Sequence, residues 1–257
     1  MFFEESLIFF PDLYPIGDWH PVGVDFEDVS FQSEDRTQLH GWYVSTNQAR
    51  AHVLFMHGNA GNLSHRAYVL KLLRGRLDVS VFIFDYRGYG KSEGRPDETG
   101  ILADARAARA WLASRAEVAE TQLVLMGRSL GAAVAVDLAA ETGAKGLILE
   151  SAFTSALDLA AHHYPMLPVR SLMRTRLDSL SKIGSYYGPL LQSHGTADEI
   201  VPIELGQRLF DAAPGEKEFF IIKDAMHNDP QPPEFYEAMD RFLQKLTKNG
   251  ASHREPE

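Results

Sequence analysis

The chain has 257 residues, 45% hydrophobic and 23% charged, with no cysteine and a formal charge of −10. That length supports one large domain or two small ones, and a core that needs no staples. The missing cysteine removes disulfides, thiolate metal sites and a cysteine nucleophile. The acidic balance opposes duplex nucleic acid and anionic lipid as partners.

The first ten residues are apolar, but Glu4 and Glu5 interrupt them and no basic region precedes them. They do not read as a signal peptide. They are either a packed edge segment or the remainder of an anchor. No stretch approaches the ~20 apolar residues of a membrane span. A cytoplasmic protein without an integral membrane segment is the expectation.

Segments 24–31 and 37–44 alternate apolar and polar residues, as half-buried antiparallel strands do. Segments 51–56, 79–84, 122–126, 146–149, 189–192 and 218–222 are nearly continuous apolar runs, the pattern of strands covered on both faces. Helical patterns lie between them at 64–73, 96–114, 130–140, 202–212 and 233–248, with a polar, flexible tail over 251–257. Strand–helix alternation implies right-handed crossovers and a mainly parallel sheet flanked by helices, an α/β fold.

Ligands of such sheets bind beyond the carboxyl ends of the strands. There the sequence places His57-Gly-Asn-Ala-Gly-Asn62, Gly127-Arg-Ser-Leu-Gly131, Glu150, Asp198 and His227, each just after an apolar run. Gly127-Arg-Ser129-Leu-Gly131 is a G-x-S-x-G between a strand and an Ala-rich helix. So tight a turn strains the serine and needs small flanks, and it leaves the hydroxyl exposed. The plainer reading is a serine N-cap followed by a packing glycine.

A serine nucleophile needs a base, and the base needs an acid to orient it. His227 follows the last strand and Asp198 the one before. Glu150 competes for the acid role, and Asp224 and Asp229 lie too close to His227 in sequence to face its ring. A developing oxyanion needs donors. The amide of Leu130 is one, and the loop after segment 51–56 offers the amide of Asn59.

Gly88-Tyr-Gly-Lys-Ser92 lacks the first glycine of a P-loop, since Asp85 stands there. His162 and His163 have no partner at metal-ligand spacing. Neither a metal nor an organic cofactor is implied.

With these residues in hand, the sequence resembles the α/β-hydrolase superfamily, and within it the Bem46-like serine hydrolases, relatives of the α/β-hydrolase domain-containing 13 and 17 proteins. The matching stretches are Leu7-Ile-Phe-Phe-Pro11, His57 to Asn62, Asp85-Tyr-Arg-Gly-Tyr-Gly-Lys-Ser-Glu-Gly94, Gly127 to Gly131, His194-Gly-Thr-Ala-Asp198 and His227-Asn-Asp229. The resemblance implies an eight-stranded, mostly parallel α/β-hydrolase sheet with a short helical cap. It also implies Ser129 as nucleophile, Asp198 as acid and His227 as base, with the Asn59 and Leu130 amides as oxyanion hole.

The expected activity is hydrolysis of a small carboxylic ester of short or medium acyl chain through an acyl-enzyme. A thioesterase or lysophospholipase would use the same triad. A serine peptidase would need a companion domain for which the length leaves no room. A binding module would not need all three groups. Segment 151–187 is the expected cap, with His57, Phe153, His162, Tyr164 and Met166 as candidate pocket residues.

Overall fold

The computed structural model describes residues 2–251, with the side chains of 4–248. Met1 and most of the expected flexible tail, 252–257, lie outside the described residues.

The strands are β1 (Glu27–Gln32), β2 (Gln38–Val44), β3 (His52–Met56), β4 (Ser80–Asp85), β5 (Val124–Arg128), β6 (Gly146–Glu150), β7 (Leu190–Gly195) and β8 (Lys217–Ile222). They form one sheet in the order β1-β2-β4-β3-β5-β6-β7-β8. β2 runs antiparallel to β1 and β4, and the pairs from β4 through β8 are parallel. The helices are α1 (Phe2–Ile8), α2 (Ala67–Leu77), α3 (Glu98–Ala116), α4 (Leu130–Thr142), α5 (Ala156–His163), α6 (Val169–Leu172), α7 (Ser179–Ile183), α8 (Ile203–Ala212) and α9 (Pro233–Ala251). No helix among the described residues is long and apolar enough to cross a membrane.

Each face of the sheet has its own apolar layer. On one face α2 and α9 bring Leu70, Leu73, Phe235 and Met239 onto Phe55, Ile83 and Met126. On the other α3 and α4 bring Ala105, Leu112, Val134 and Leu138 onto Leu54, Phe84 and Leu125. Small residues let α4 approach closely. A Cβ at Gly131 would meet the Met56 carbonyl oxygen at 2.0 Å, and one at Gly127 would meet the Gly131 oxygen at 2.1 Å.

Two strands depart from their expected burial. β2 is buried on both faces rather than half-buried. Trp42 stacks on Phe26 at 4.0 Å on one side, while Tyr43 meets Trp111 edge-on at 5.6 Å on the other. β8 is an edge strand and only partly covered, with Ile221 55% exposed.

The N-terminal segment is packed. α1 leads into Phe9, which is buried in the core. Between β6 and β7 the chain forms the three short helices α5, α6 and α7 over 156–183. Asp178 caps α7, and Ser155 caps α5 by accepting from the Asp158 amide.

Candidate active site

Ser129 sits between β5 and α4 with φ 53° and ψ −115°. A β-carbon there is strained by about 1–3 kcal/mol, which the surroundings must hold. The Ser129 amide donates to the Glu150 carbonyl at 2.9 Å, anchoring the turn to β6. The loop after β3 passes close by. A Cβ at Gly58 would lie 3.7 Å from that of Ser129, an ordinary van der Waals contact.

Leu130 is the first residue of α4, so its amide has no intrahelical acceptor. Neither it nor the Asn59 amide donates to a partner among the described residues.

His227 follows β8. Its Nδ1 lies 2.8 Å from Asp198 Oδ2. The carboxylate accepts, so Nδ1 donates to it. Asp198 is buried, and its other oxygen accepts from the Val201 amide at 2.7 Å and the Ile200 amide at 3.0 Å. Burial raises its pKa, but the bonds from His227 and Val201 and the neighbouring histidines outweigh that and hold it below the usual carboxylate range. His194 braces the same loop, donating from Nε2 to the Val201 carbonyl at 2.8 Å.

The competing acids lie elsewhere. Glu150 is buried, which pushes its carboxyl up despite the Arg128 charge and a bond from Gln231. Asp229 accepts from the Met226 amide at 2.8 Å, and the Asp224 amide donates to Thr196 Oγ1 at 2.8 Å. The acid brought to the His227 ring is Asp198.

Arg128 was not singled out from sequence. Its guanidinium donates to the His227 carbonyl at 2.5 Å. The variable position inside G-x-S-x-G carries no signal of that contact.

The candidate pocket residues separate. His57 is fully buried, with Nδ1 2.7 Å from the Gly58 oxygen and Nε2 3.4 Å from Asp85 Oδ1. It braces the loop from behind. Phe153 is buried in the core, whereas His162, Tyr164 and Met166 are exposed, Met166 at 93%. Two of the five thus belong to the packing, and three to the exposed surface of α5 and the turn after it. Two grooves of about 410 and 220 Å³ lie elsewhere, beside Arg109 and Thr142 and beside Leu190 and Phe242. No group of three or more potential metal ligands occurs among the described residues.

Comparison with known proteins agrees with this architecture. Residues 53–251 match the alpha/beta hydrolase family. The chain is 40% identical to the Mycobacterium tuberculosis "Uncharacterized protein Rv2307c", covering 93% of this chain and 87% of that one. It is 30% identical to Schizosaccharomyces pombe "Protein bem46", covering 88% and 81% respectively. Among solved structures, the Pyrococcus furiosus esterase Pf2001 superposes with a TM-score of 0.73 at 24% identity, covering 91% of this chain and 98% of that chain. At that identity the likeness speaks to the fold alone.

Proposed function

Because the chain belongs to the alpha/beta hydrolase family, we propose that it hydrolyses small carboxylic esters through an acyl-enzyme on Ser129. The observation that carries this reading is the pairing of two features. A serine is held at φ 53° at the start of a helix, and a histidine on a neighbouring loop is bonded at 2.8 Å to a buried carboxylate.

In the first half-reaction His227 Nε2 takes the Ser129 proton as Oγ attacks the ester carbonyl. The Asn59 and Leu130 amides hold the oxyanion. Asp198 keeps the imidazole in the right tautomer and stabilises its charged form. The carbon–oxygen bond to the alcohol breaks, and the alcohol leaves with the proton from His227. In the second, His227 deprotonates water, the hydroxyl attacks the acyl carbon, and Ser129 leaves as the restored alcohol. No metal or organic cofactor enters these steps.

Only short helices separate β6 from β7, which favours an open site and acyl chains of short or medium length. The test uses a fluorophosphonate and p-nitrophenyl esters. The wild type should be labelled at Ser129 and hydrolyse the acetate. Ser129→Ala should lose both labelling and turnover, and a wild-type rate in that variant would sink the nucleophile assignment. A preference for chains beyond about twelve carbons would refute the open-site reading.

A further inference from the structure

The loop after β3 contains Gly58 and Gly61, so its own backbone does little to fix it. Yet an oxyanion donor misplaced by about 1 Å can cost on the order of a hundredfold in rate. Something outside the loop must hold the Asn59 amide in place.

The structure supplies it from the N-terminal segment. Asn59 Nδ2 donates to the Ile8 carbonyl at 2.5 Å, and Asn59 Oδ1 accepts from the Phe10 amide at 3.3 Å. Tyr89 adds its hydroxyl to the same oxygen at 2.8 Å. The carboxamide is thus held by both sides of the Ile8–Phe10 backbone and by a fully buried tyrosine.

The contacts continue along the segment. The Gly61 amide donates to the Phe10 carbonyl at 3.1 Å, and the Asp12 amide donates to the Gly61 carbonyl at 3.0 Å. Asn62 Nδ2 then reaches the carbonyls of Asp12 and Ile16 at 3.1 and 2.8 Å. Further out, Gly90 exchanges backbone bonds with Asp12 and Tyr14. At the other end Glu4 Oε1 accepts from the Arg174 and Thr175 amides at 2.8 Å each. The segment runs from the chain beyond α6 to the loop beside Ser129, seated by the buried Phe9.

We propose that residues 8–16 are a strap that positions the oxyanion loop, acting through the Asn59 carboxamide. This rests on the ester-hydrolase reading of Ser129. Asn59 then has two separable parts. Its backbone amide meets the substrate, and its side chain is a positioning group that couples that amide to a segment roughly fifty residues upstream. Whatever unseats the strap lowers turnover without touching Ser129, His227 or Asp198.

Asn59→Ala tests this directly, because it keeps the amide and removes all three side-chain bonds. The expected result is a kcat lower by about 10–100-fold with KM within about twofold. Inhibition by a trifluoromethyl ketone, whose serine adduct carries the oxyanion, should weaken in parallel with kcat/KM. Phe9→Leu loosens the strap without altering the loop, and should give the same signature more weakly. The double variant should be no worse than Asn59→Ala alone, since both act through one element.

An unchanged kcat in Asn59→Ala overturns the proposal. So does a loss in which KM rises while ketone inhibition stays intact, or a double variant whose losses multiply. If Asn59→Ala does not fold, Tyr89→Phe removes only a hydroxyl and should still lower kcat about three- to tenfold. A wild-type kcat there overturns the strap. Ser129→Ala separates the two ideas. Turnover that survives in that variant refutes the reading of the site, whatever Asn59 does.

Discussion

The Arg128 guanidinium donates to the His227 carbonyl at 2.5 Å, across 99 residues of chain. Arg128 pairs in register with Glu150, and its charge helps to keep that buried carboxylate in check. The residue before the proposed nucleophile therefore ties down the loop of the proposed base. Arg128→Ala should lower kcat/KM by about tenfold or more. Arg128→Lys should recover part of it, since a lysine can offer one donor but not the planar fork. Steady-state kinetics beside a thermal melt distinguish a displaced loop from a loosened fold.

The carboxylates can be told apart by isosteric amides. Asp198→Asn should cut kcat by roughly 10³–10⁴, because the amide no longer enforces the imidazole tautomer. Glu150→Gln should stay within about threefold of wild type, since Glu150 does not touch the His227 ring. The reverse pattern in single-turnover rates would move the acid from β7 to β6.

The same two residues should shift stability with pH in opposite directions. Asp198 titrates below its ordinary value in the folded chain. Its contribution is complete above the ordinary carboxylate range and disappears as pH falls through the lowered value. Glu150 is pushed up by burial, so the stability linked to it is present at low pH and lost as pH rises through the raised value. In urea titrations Asp198→Asn should flatten the acid limb. Glu150→Gln should gain on wild type as pH increases. Parallel curves for all three proteins would contradict these assignments.

Glycines offer a sharp contrast. A Cβ at Gly131 would fall 2.0 Å from the Met56 carbonyl oxygen, whereas one at Gly75 in α2 meets nothing within 4 Å. Gly131→Ala should destabilise by about 3 kcal/mol or more through forced separation of α4 from β3. Gly75→Ala should stabilise by about 0.5–1 kcal/mol, by the helix preference alone. Urea midpoints report both.

The sheet was legible because strands covered on both faces are written as unbroken apolar runs, such as Val81 to Phe84 and Val124 to Met126. The placement of Ser129, Asp198 and His227 beyond the strand ends was legible because each follows one of those runs. Asn59 could be named from the sequence as a candidate backbone donor, but its side-chain partners could not. They join residues about fifty apart through single carbonyls and amides, which leave no periodic trace. The burial of Trp42 depends on Phe26 and Trp19 arriving from an irregular segment, so alternation along β2 understated it. The burial of the pocket candidates was not legible, because composition does not say which side of a short helix meets solvent.

The topology has a consequence for synthesis. Arg128 leaves the ribosome 99 residues ahead of His227. At about 5–20 residues per second that is on the order of 5–20 s during which the turn of the proposed nucleophile exists without the proposed base. The apolar face under α9, including Met126, Ile148 and Leu191, also waits for that last helix to cover it. A nascent chain stalled before Pro233 would therefore keep that apolar face open and be adhesive, a client for chaperones.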